Sequence, residues 1–334
     1  MLDFPAHYFE NEIRCGFHIT AMMKRFWGAQ LEVLSWFDAV CRKYDIRYIL
    51  CYGSLLGAVR HKGYIPWDDD IDIALLREDY TRFSKVVMAE LPEYFTFQSL
   101  LPGTIPPKEL IFGIGNGTRV DTSTGFLNRF HGCPYAVNLD LYIFDRVPTD
   151  PEQYAYQERL IRLLDRMLML QWDADKNALT KDTTLEYINI RKNVEYELDY
   201  TFTDDEPMTL QILRILDLAC GLCDDCGSDH VENREQMLYY GEKGFLEEHF
   251  TDRIFVPYEN VMNVPIPRAY DSILSRIWGD YYIPKKFGGQ HAYPSYRLQR
   301  EVLYEEYRKR NWQVPDEFLE HDENGQLIVD PYSI

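Results

Sequence analysis

The hydrophobic pattern of the first 150 residues predicts alternating helices and strands. Apolar positions three and four residues apart indicate helices, and short runs rich in β-branched and aromatic residues indicate strands. The predicted elements are a helix over 28–45, a buried strand over 46–52, the first turns of a helix over 55–60, a strand over 70–76, a helix over 77–91 and strands over 111–115 and 137–144. This alternation is typical of an α/β (α+β) protein with a mixed β-sheet core flanked by helices.

The pattern changes after residue 150. A helical block over 151–243 shows strong helical periodicity, and the stretch 244–334 is mixed, aromatic and rich in proline. We therefore expect an N-terminal segment over 1–27, an α/β core over 28–150, the helical block, and an aromatic C-terminal extension over 244–334 that completes the domain. A chain of 334 residues is long enough to bury a large core.

An acidic run follows the first predicted helix–strand unit, with aspartates at 68, 69, 70 and 72. On a strand, alternate side chains share one face, so Asp70 and Asp72 project together while Ile71 and Ile73 point into the core. Two carboxylates this close repel each other unless a cation lies between them, and Mg²⁺ binds carboxylates together with substrate phosphates. The pattern predicts a divalent metal site, with the aspartates at 68 and 69 serving the preceding turn.

Two other interpretations of the acidic run were weighed against the metal site. One is an acidic surface loop whose charges are solvated. The other is a calcium loop of the form D-x-[DN]-x-[DN]-G-x5-E, which is disfavoured because Ile73 and Asp79 stand where glycine and glutamate are needed. Gly63 and Pro66 also prevent a helix from entering such a loop.

The turn before the acidic run favours the metal site. A buried strand ends at Gly53 and Ser54, where backbone N–H groups of the next helix can bind a phosphate and the serine hydroxyl adds a donor. Arg60, His61 and Lys62 supply cations near the same strand ends. Together these residues predict a phosphate-binding turn opposite a metal ion.

Asp140 is the candidate third metal ligand. It lies in the middle of an apolar strand, where an unpaired carboxylate is costly. The alternative is a carboxylate that hydrogen-bonds a neighbouring backbone group.

The charge balance restricts the class of partner. With 35 basic and 54 acidic residues, the net charge of −19 argues against nucleic-acid binding, which needs a basic surface. The N-terminal residues lack the pattern of a signal peptide, and no apolar run predicts a transmembrane segment. The seven cysteines are interpreted as reduced thiols, which together with these absences predicts a cytoplasmic protein.

Three motifs resemble those of a known family. The stretch GSLLGAVRHKG over 53–63, followed by IPWDDDID over 65–72, closely resembles the signature of the LicD family, which belongs to the nucleotidyltransferase-like superfamily and includes the fukutin-related proteins. The stretch LDLYIFD over 139–145 resembles the third-aspartate strand of that family, and VPIP over 264–267 with WGDY over 278–281 resembles its C-terminal pattern.

The resemblance implies a nucleotidyltransferase-like core that transfers a phospholigand from a CDP-linked donor. By this analogy Gly53 and Ser54 bind phosphate. Asp70, Asp72 and Asp140 hold Mg²⁺ or Mn²⁺, and one of them accepts the proton of the acceptor hydroxyl. The chain departs from the family pattern in having a single histidine, His291, where a pair is usual, and Asp145 where many members have proline. His291 either contacts the donor phosphates or is a surface histidine.

Aromatic and cysteine residues suggest two further sites. Trp67 and other aromatics near the signature segments suit cation–π binding of a quaternary ammonium group, although core packing is the plainer interpretation of each. Four residues have the spacing of a zinc site, namely Cys220, Cys223, Cys226 and His230. Buried cysteines at a helix end are the favoured interpretation of that run.

The sequence and the resemblance together predict a metal-dependent phosphotransferase. The expected donor is CDP-choline or another CDP-linked compound, and the expected acceptor is a cell-surface glycan or its precursor, free or lipid-linked. The alternatives are a nucleotidyltransferase that moves NMP to a small alcohol or sugar, and an inactive glycan- or nucleotide-binding protein. For a lipid-linked acceptor, the stretch MMKRFW over 22–27 is the candidate for peripheral contact with the inner membrane face.

Overall fold

The computed structural model describes residues 1–223, 226–240, 245–285, 293–322 and 324–327. Its centre is a mixed sheet in which β3 (Ile49–Leu50), β4 (Asp72–Leu76), β7 (Asn138–Arg146), β6 (Phe112–Gly115) and β5 (Thr96–Gln98) lie side by side in this order. Strands β4 and β7 are parallel, and the other neighbours in this row are antiparallel. The predicted mixed α/β sheet is therefore confirmed.

Shorter strands extend and flank this sheet. Strand β8 (His230–Glu232) pairs with the far end of β7, and β9 (Phe245–Leu246) pairs with β8. Two antiparallel hairpins lie apart from the sheet, one formed by β1 (Glu12–Arg14) and β2 (Phe17–Ile19), the other by β10 (Arg253–Tyr258) and β11 (Met262–Pro267).

The helices cover the sheet and build the helical block. The helices are α1 (Ala21–Lys43), α2 (Tyr52–Arg60), α3 (Arg77–Glu90), α4 (Thr124–Arg129), α5 (Pro151–Asp175), α6 (Lys181–Glu197), α7 (Met208–Cys220), α8 (Glu248–Thr251), α9 (Tyr270–Trp278) and α10 (Arg297–Lys309). Within the described residues, none of these helices combines the length and the apolar character that a membrane span requires.

Helix α1 begins well before the start predicted from periodicity. The Thr20 hydroxyl caps it by accepting the N–H of Met23. Phe26 and Trp27 are buried in the core, and so is Lys24, whose ammonium group pairs with Glu12. The prediction of membrane contact at 22–27 is therefore wrong, because the apolar side chains of this stretch already face the protein interior.

Two hydrophobic clusters form the interior. The larger one combines α1, the central sheet and both hairpins, and the smaller one combines α5, α6 and α7. Arg77 links the two regions, because its guanidinium binds Asp145 of β7 through two hydrogen bonds and Asp217 of α7 through a third. This ion pair accounts for Asp145 at a position where the family pattern has proline. The predicted unit boundaries at 27, 150 and 243 stay predictions.

Candidate functional site

Three aspartates converge at one edge of the two parallel strands. In the register of β4 and β7, Asp72 lies opposite Asp140, and the Asp140 N–H donates to the carbonyl oxygen of Ile71. Asp70 lies two residues before the start of β4. Each of the three side chains offers a carboxylate oxygen within 4.8 Å of the other two. The spacing of the predicted metal ligands is therefore compatible with a single divalent cation.

The electrostatics of this cluster are unfavourable without a cation. Asp72 is buried, and burial, followed by the charges of Asp70, Asp140 and Asp68, raises the pKa of its carboxyl well above the ordinary value. A backbone hydrogen bond from Ser54 opposes this rise only in part. Neighbouring carboxylates disfavour their mutual ionisation, and a bound cation reverses that effect.

The glycine–serine turn lies directly against these carboxylates. Gly53 and Ser54 belong to the first turn of α2, which begins earlier than predicted. The buried Ser54 hydroxyl accepts the N–H of Asp72 at 2.8 Å, which fixes the start of β4. A Cβ atom added at Gly53 would lie 2.8 Å from Asp68 Oδ2 and 3.7 Å from Asp72 Oδ2. The turn therefore holds the helix N-terminus close to the carboxylates, and phosphate binding by it stays a prediction.

Tyr52, at the start of α2, has a strained backbone. Its φ of +44° is rare for a side chain of this size and costs of order 1–3 kcal/mol. The phenol packs edge-on against Tyr142 at 5.0 Å between ring centroids and donates a hydrogen bond to Asn233. These contacts hold the strained residue beside the strand that carries Asp140.

Asp68 is a fourth carboxylate of the cluster, although the sequence analysis assigned it to the preceding turn. Its proximity to Gly53 and its effect on Asp72 both place it on the site face. The signal was present in the sequence, because positions 68, 70 and 72 have the same parity in an extended chain. Asp69 is buried, and its carboxylate accepts the N–H of Ser295 at 2.6 Å, which ties the acidic run to the segment before α10. A role of Asp69 in the preceding turn stays a prediction.

Two amide side chains, the partly buried Asn138 and the buried Gln30, orient the acidic residues. Asn138 donates to Asp140 Oδ1 at 2.8 Å, and a Cβ atom at Gly113 on the neighbouring strand would lie 2.5 Å from that amide nitrogen. Gln30 of α1 donates to the carbonyl oxygens of Asp69 and Asn138. Neither amide is predicted from the sequence, because nothing in the local pattern distinguishes Gln30 or Asn138 from ordinary core or strand residues.

The hydroxyl of Tyr258 lies within electrostatic range of the same carboxylates. The side chain is 1% exposed, and among the described residues its hydroxyl has no hydrogen-bond partner. Burial raises the pKa of this phenol well above its ordinary value, and Glu259 and then the three aspartates at 68, 70 and 72 raise it further. A buried orphan donor next to clustered carboxylates fits a site that holds a hydrated cation.

The basic triplet lies at the opposite end of α2. Arg60 donates to the carbonyl oxygen of Tyr281 and to the His61 ring, and it lies about 10 Å along the helix axis from Gly53, at 1.5 Å per residue. Burial, and then Arg60 and Arg14, lower the pKa of His61 to about 4. The Lys62 carbonyl oxygen accepts the N–H of Glu259. The role of the triplet as phosphate ligands stays a prediction.

Trp67 belongs to an aromatic cluster beside the acidic run. Phe17 of β2 lies 6.0 Å from Trp67 and 5.4 Å from Tyr293, both edge-on between ring centroids, and His61 lies 6.5 Å from Trp67. These aromatic side chains are partly buried. Of the rings in this cluster only Trp67 is predicted from the sequence, because Phe17 and Tyr293 come from distant segments. His291, the remaining candidate ligand, lies outside the described residues.

The predicted zinc site is not formed as proposed. Cys223 and Cys226 are joined in a disulfide, so neither sulfur is available as a thiolate ligand. Cys220 is a buried free thiol at the end of α7, and His230 begins β8. The interpretation of all seven cysteines as reduced thiols is wrong for the bonded pair, because the turn after α7 brings the two sulfurs together.

Comparison with known proteins identifies relatives of this chain. Residues 45–103 match the family described as LicD/FKTN/FKRP, nucleotidyltransferase domain. The chain is 34% identical over 180 residues to the lipopolysaccharide cholinephosphotransferase LicD of Haemophilus influenzae, a match that covers 51% of this chain and 66% of that protein. It is also 34% identical over 90 residues to an uncharacterised protein of Rickettsia typhi, covering 25% and 29%. The matches thus span less than two thirds of each relative.

The segment 45–103, which matches this domain, contains the glycine–serine turn, Asp70 and Asp72, whereas Asp140 lies on β7 outside it. Together with the mixed sheet and the facing aspartates, this match indicates a protein of the nucleotidyltransferase class. The comparisons support, within that class, a member of the LicD family.

Proposed function

We propose that this protein transfers phosphocholine from CDP-choline to a hydroxyl of a cell-surface glycan or its precursor and releases CMP. The observation that carries the proposal is the convergence of Asp70, Asp72 and Asp140 on two parallel strands. Support for the transferred group comes from the relative in Haemophilus influenzae, whose name describes a cholinephosphotransferase acting on lipopolysaccharide.

The residues present fit Mg²⁺ or Mn²⁺ as the cofactor. Carboxylate oxygens are the preferred ligands of both ions, and the orphan hydroxyl of Tyr258 suits a metal-bound water. When bound, the ion neutralises the charge of the donor diphosphate. The aspartates hold their positions through Ser54, Asn138 and the backbone pairing of the two strands.

The reaction balances as a displacement at phosphorus. The acceptor hydroxyl oxygen attacks the phosphorus that carries choline, the bond from this phosphorus to the bridging oxygen breaks, and CMP leaves with the electron pair. The hydroxyl proton passes to a carboxylate of the cluster. Asp68 is our candidate acceptor, because it lies beside the cluster but outside the three-ligand set.

The aromatic cluster supports choline as the transferred alcohol. A quaternary ammonium group cannot donate hydrogen bonds and is usually held against aromatic faces. The aromatic cluster of Phe17, Trp67 and Tyr293 lies next to the acidic run. Trp67 immediately precedes Asp68, and Ser295, whose N–H bonds the Asp69 carboxylate, follows two residues after Tyr293.

A product assay tests the proposal. Purified protein is incubated with Mg²⁺, a rough-type lipopolysaccharide and either CDP-choline or a CDP-polyol, and the products are separated by chromatography. The wild-type protein is expected to release CMP from CDP-choline. The variant that combines Asp70→Asn and Asp72→Asn is expected to release no CMP. Asp182→Asn, an exposed change at the start of α6, is the matched control.

The alternatives predict different products. Release of pyrophosphate from a nucleoside triphosphate, without CMP from CDP-choline, would instead support a nucleotidyltransferase. Absence of any metal-dependent product would support an inactive binding protein. Undiminished CMP release by the double variant would contradict the assigned role of the two aspartates.

A further inference from the structure

A cavity of about 290 Å³ lies beside the aromatic cluster. It is bounded by the end of the β1–β2 hairpin, the start of α1, the segment before α10 and the chain around residue 320. Its size is at the lower end of pockets that bind small molecules, which suits a single ring better than a whole nucleotide.

The floor of the cavity is polar but internally paired. The buried Glu320 carboxylate accepts hydrogen bonds from the hydroxyls of Thr20 and Tyr296, and it forms an ion pair with Arg300. Because these charges neutralise each other, the floor offers no net charge to an ionic ligand. The floor instead offers oxygen and nitrogen atoms in fixed positions, which favours a neutral ligand that both donates and accepts hydrogen bonds.

The rim adds adaptable polar groups. His18, Asp322 and Asn324 line the opening, and each is at least partly exposed. The Asp322 carboxylate already accepts the N–H groups of Asn324 and Gln326, which fixes this turn. An imidazole, a carboxylate and an amide around one ring-sized space can bind several hydroxyl groups at once.

One wall of the cavity connects it to the acidic run. The Tyr293 ring lines the cavity and also packs against Phe17 of the aromatic cluster. Burial raises the pKa of this phenol, and the next contributions come from Asp69, Glu320 and Asp68, so the ring lies between the cavity floor and the acidic run. The Ser295 N–H, bonded to Asp69, anchors the same segment.

We propose that this cavity binds one neutral sugar ring of the acceptor and directs a hydroxyl group past Tyr293 toward the aspartates. The assigned role of the bound sugar as acceptor rests on the proposed phosphotransfer. Apolar and aromatic walls with a few fixed polar groups are the usual composition of small-molecule sites. Here the partly buried Tyr293 supplies a flat surface, while the paired floor and the polar rim supply the hydrogen bonds.

Direct binding tests the cavity without turnover. Methyl glycosides of glucose, galactose and N-acetylglucosamine are titrated against the full chain and followed by saturation-transfer NMR, while CDP-choline binding is measured by calorimetry. The variant that combines His18→Ala and Asn324→Ala is expected to bind the best glycoside about tenfold more weakly, because it loses two rim hydrogen-bonding groups. CDP-choline affinity is expected to stay unchanged.

Arg119→Ala is the matched control. It removes an exposed polar group from a different cavity, of about 420 Å³, on another side of α10. Glycoside affinity is expected to stay unchanged in this variant. The proposal is overturned if no glycoside binds, if the double variant binds glycosides as well as the wild type does, or if the double variant loses affinity for CDP-choline instead. A glycoside that binds here, in a protein that releases no CMP, supports the sugar site and refutes the proposed phosphotransfer.

Discussion

At the scale of single residues, the acidic cluster opposes stability at the proposed metal site. Strand pairing places Asp72 opposite Asp140, and Asp70 lies two residues before β4, so the repulsion of the three carboxylates is not relieved by side-chain movement alone. Natural proteins tolerate such local unfavourable energy mainly at functional sites. Two changes separate the contribution of these residues to the fold from their contribution to function.

Replacing Asp72 by asparagine should stabilise the metal-free protein and remove its stabilisation by metal. Without metal, Asp72→Asn is expected to raise the free energy of unfolding, because it removes a buried charge next to like charges. Wild-type protein should gain about 2.7 kcal/mol at a metal concentration 100 times the dissociation constant, and the variant should gain almost nothing. Urea unfolding with and without Mn²⁺ measures both effects. An equal metal response in the two proteins would exclude Asp72 as a ligand.

Replacing Gly53 by alanine should reduce activity while sparing the fold. The new Cβ atom would push the Asp68 carboxylate away, a movement that a side chain can make, and stability should change by no more than about 1 kcal/mol. We expect kcat/KM to fall about 100-fold, as a displacement of about 1 Å at a reacting centre can cause.

Gly57→Ala on the same helix is the contrasting variant. There the Cβ atom would collide with the backbone carbonyl oxygen of Gly63, so this change should lower the unfolding midpoint first. Full activity in Gly53→Ala would show that the close approach is not needed.

The sequence predicted the residues whose chemistry follows from simple alternation. Asp70 and Asp72 were found by strand parity, and Asp140 by its polar character in an apolar strand. Asn138, Gln30 and the Tyr258 hydroxyl were not found, because their importance comes from neighbours that are distant in the chain. Tertiary contacts decide such roles, and a single sequence does not show them.

At the scale of elements, the ends of helices and strands differ most from expectation. Helix α2 begins at Tyr52, inside the predicted strand, because Cys51 is the last extended residue and Tyr52 adopts a positive φ. Helix α1 begins at Ala21 because the Thr20 side chain caps it. The type and order of these elements were predicted from periodicity, whereas their limits depend on capping and turn geometry.

The contact between the sheet and the helical block depends on Arg77. Arg77→Ala should lower the free energy of unfolding by about 3–5 kcal/mol, because it leaves the buried Asp145 carboxylate without its paired cation. Urea denaturation followed by circular dichroism measures the loss. Arg310→Ala removes an exposed pair with Glu306 and should cost no more than about 1 kcal/mol. Similar losses in the two variants would contradict a special role for Arg77.

At the scale of the whole molecule, charged residues attach the N-terminal hairpin to the β10–β11 turn. Arg14 donates to Glu12 and to the buried Glu259, and Lys24 also pairs with Glu12. Glu259 lies in that turn and bonds the Tyr64 N–H. The network joins segments from both ends of the chain, and no local sequence pattern predicts it.

This network should make stability depend on pH through Glu12. Burial would raise the pKa of this carboxyl from 4.5, but hydrogen bonds from Arg14 and Lys24 hold it at about 2. The ionised form is therefore preferred in the folded state, and its contribution is present above pH 4.5 and lost as the pH falls toward 2.

Glu12→Gln should be less stable than wild type at pH 7, and the difference should narrow below pH 4.5. Urea midpoints measured across this range provide the check. Glu152→Gln, an exposed change in the first turn of α5, is the control. If the stability difference between Glu12→Gln and the wild type does not vary with pH, the effect comes from altered packing and not from the charge of Glu12.

The parallel register of β4 and β7 also has a consequence for biosynthesis. These strands are separated along the chain by α3, β5, β6 and α4, so a ribosome delivers Asp70 and Asp72 long before Asp140. A nascent chain that ends before β7 carries only part of the proposed ligand set. The proposed metal site can therefore form only after the central strand has been made and inserted, so an unfinished chain would lack the proposed activity.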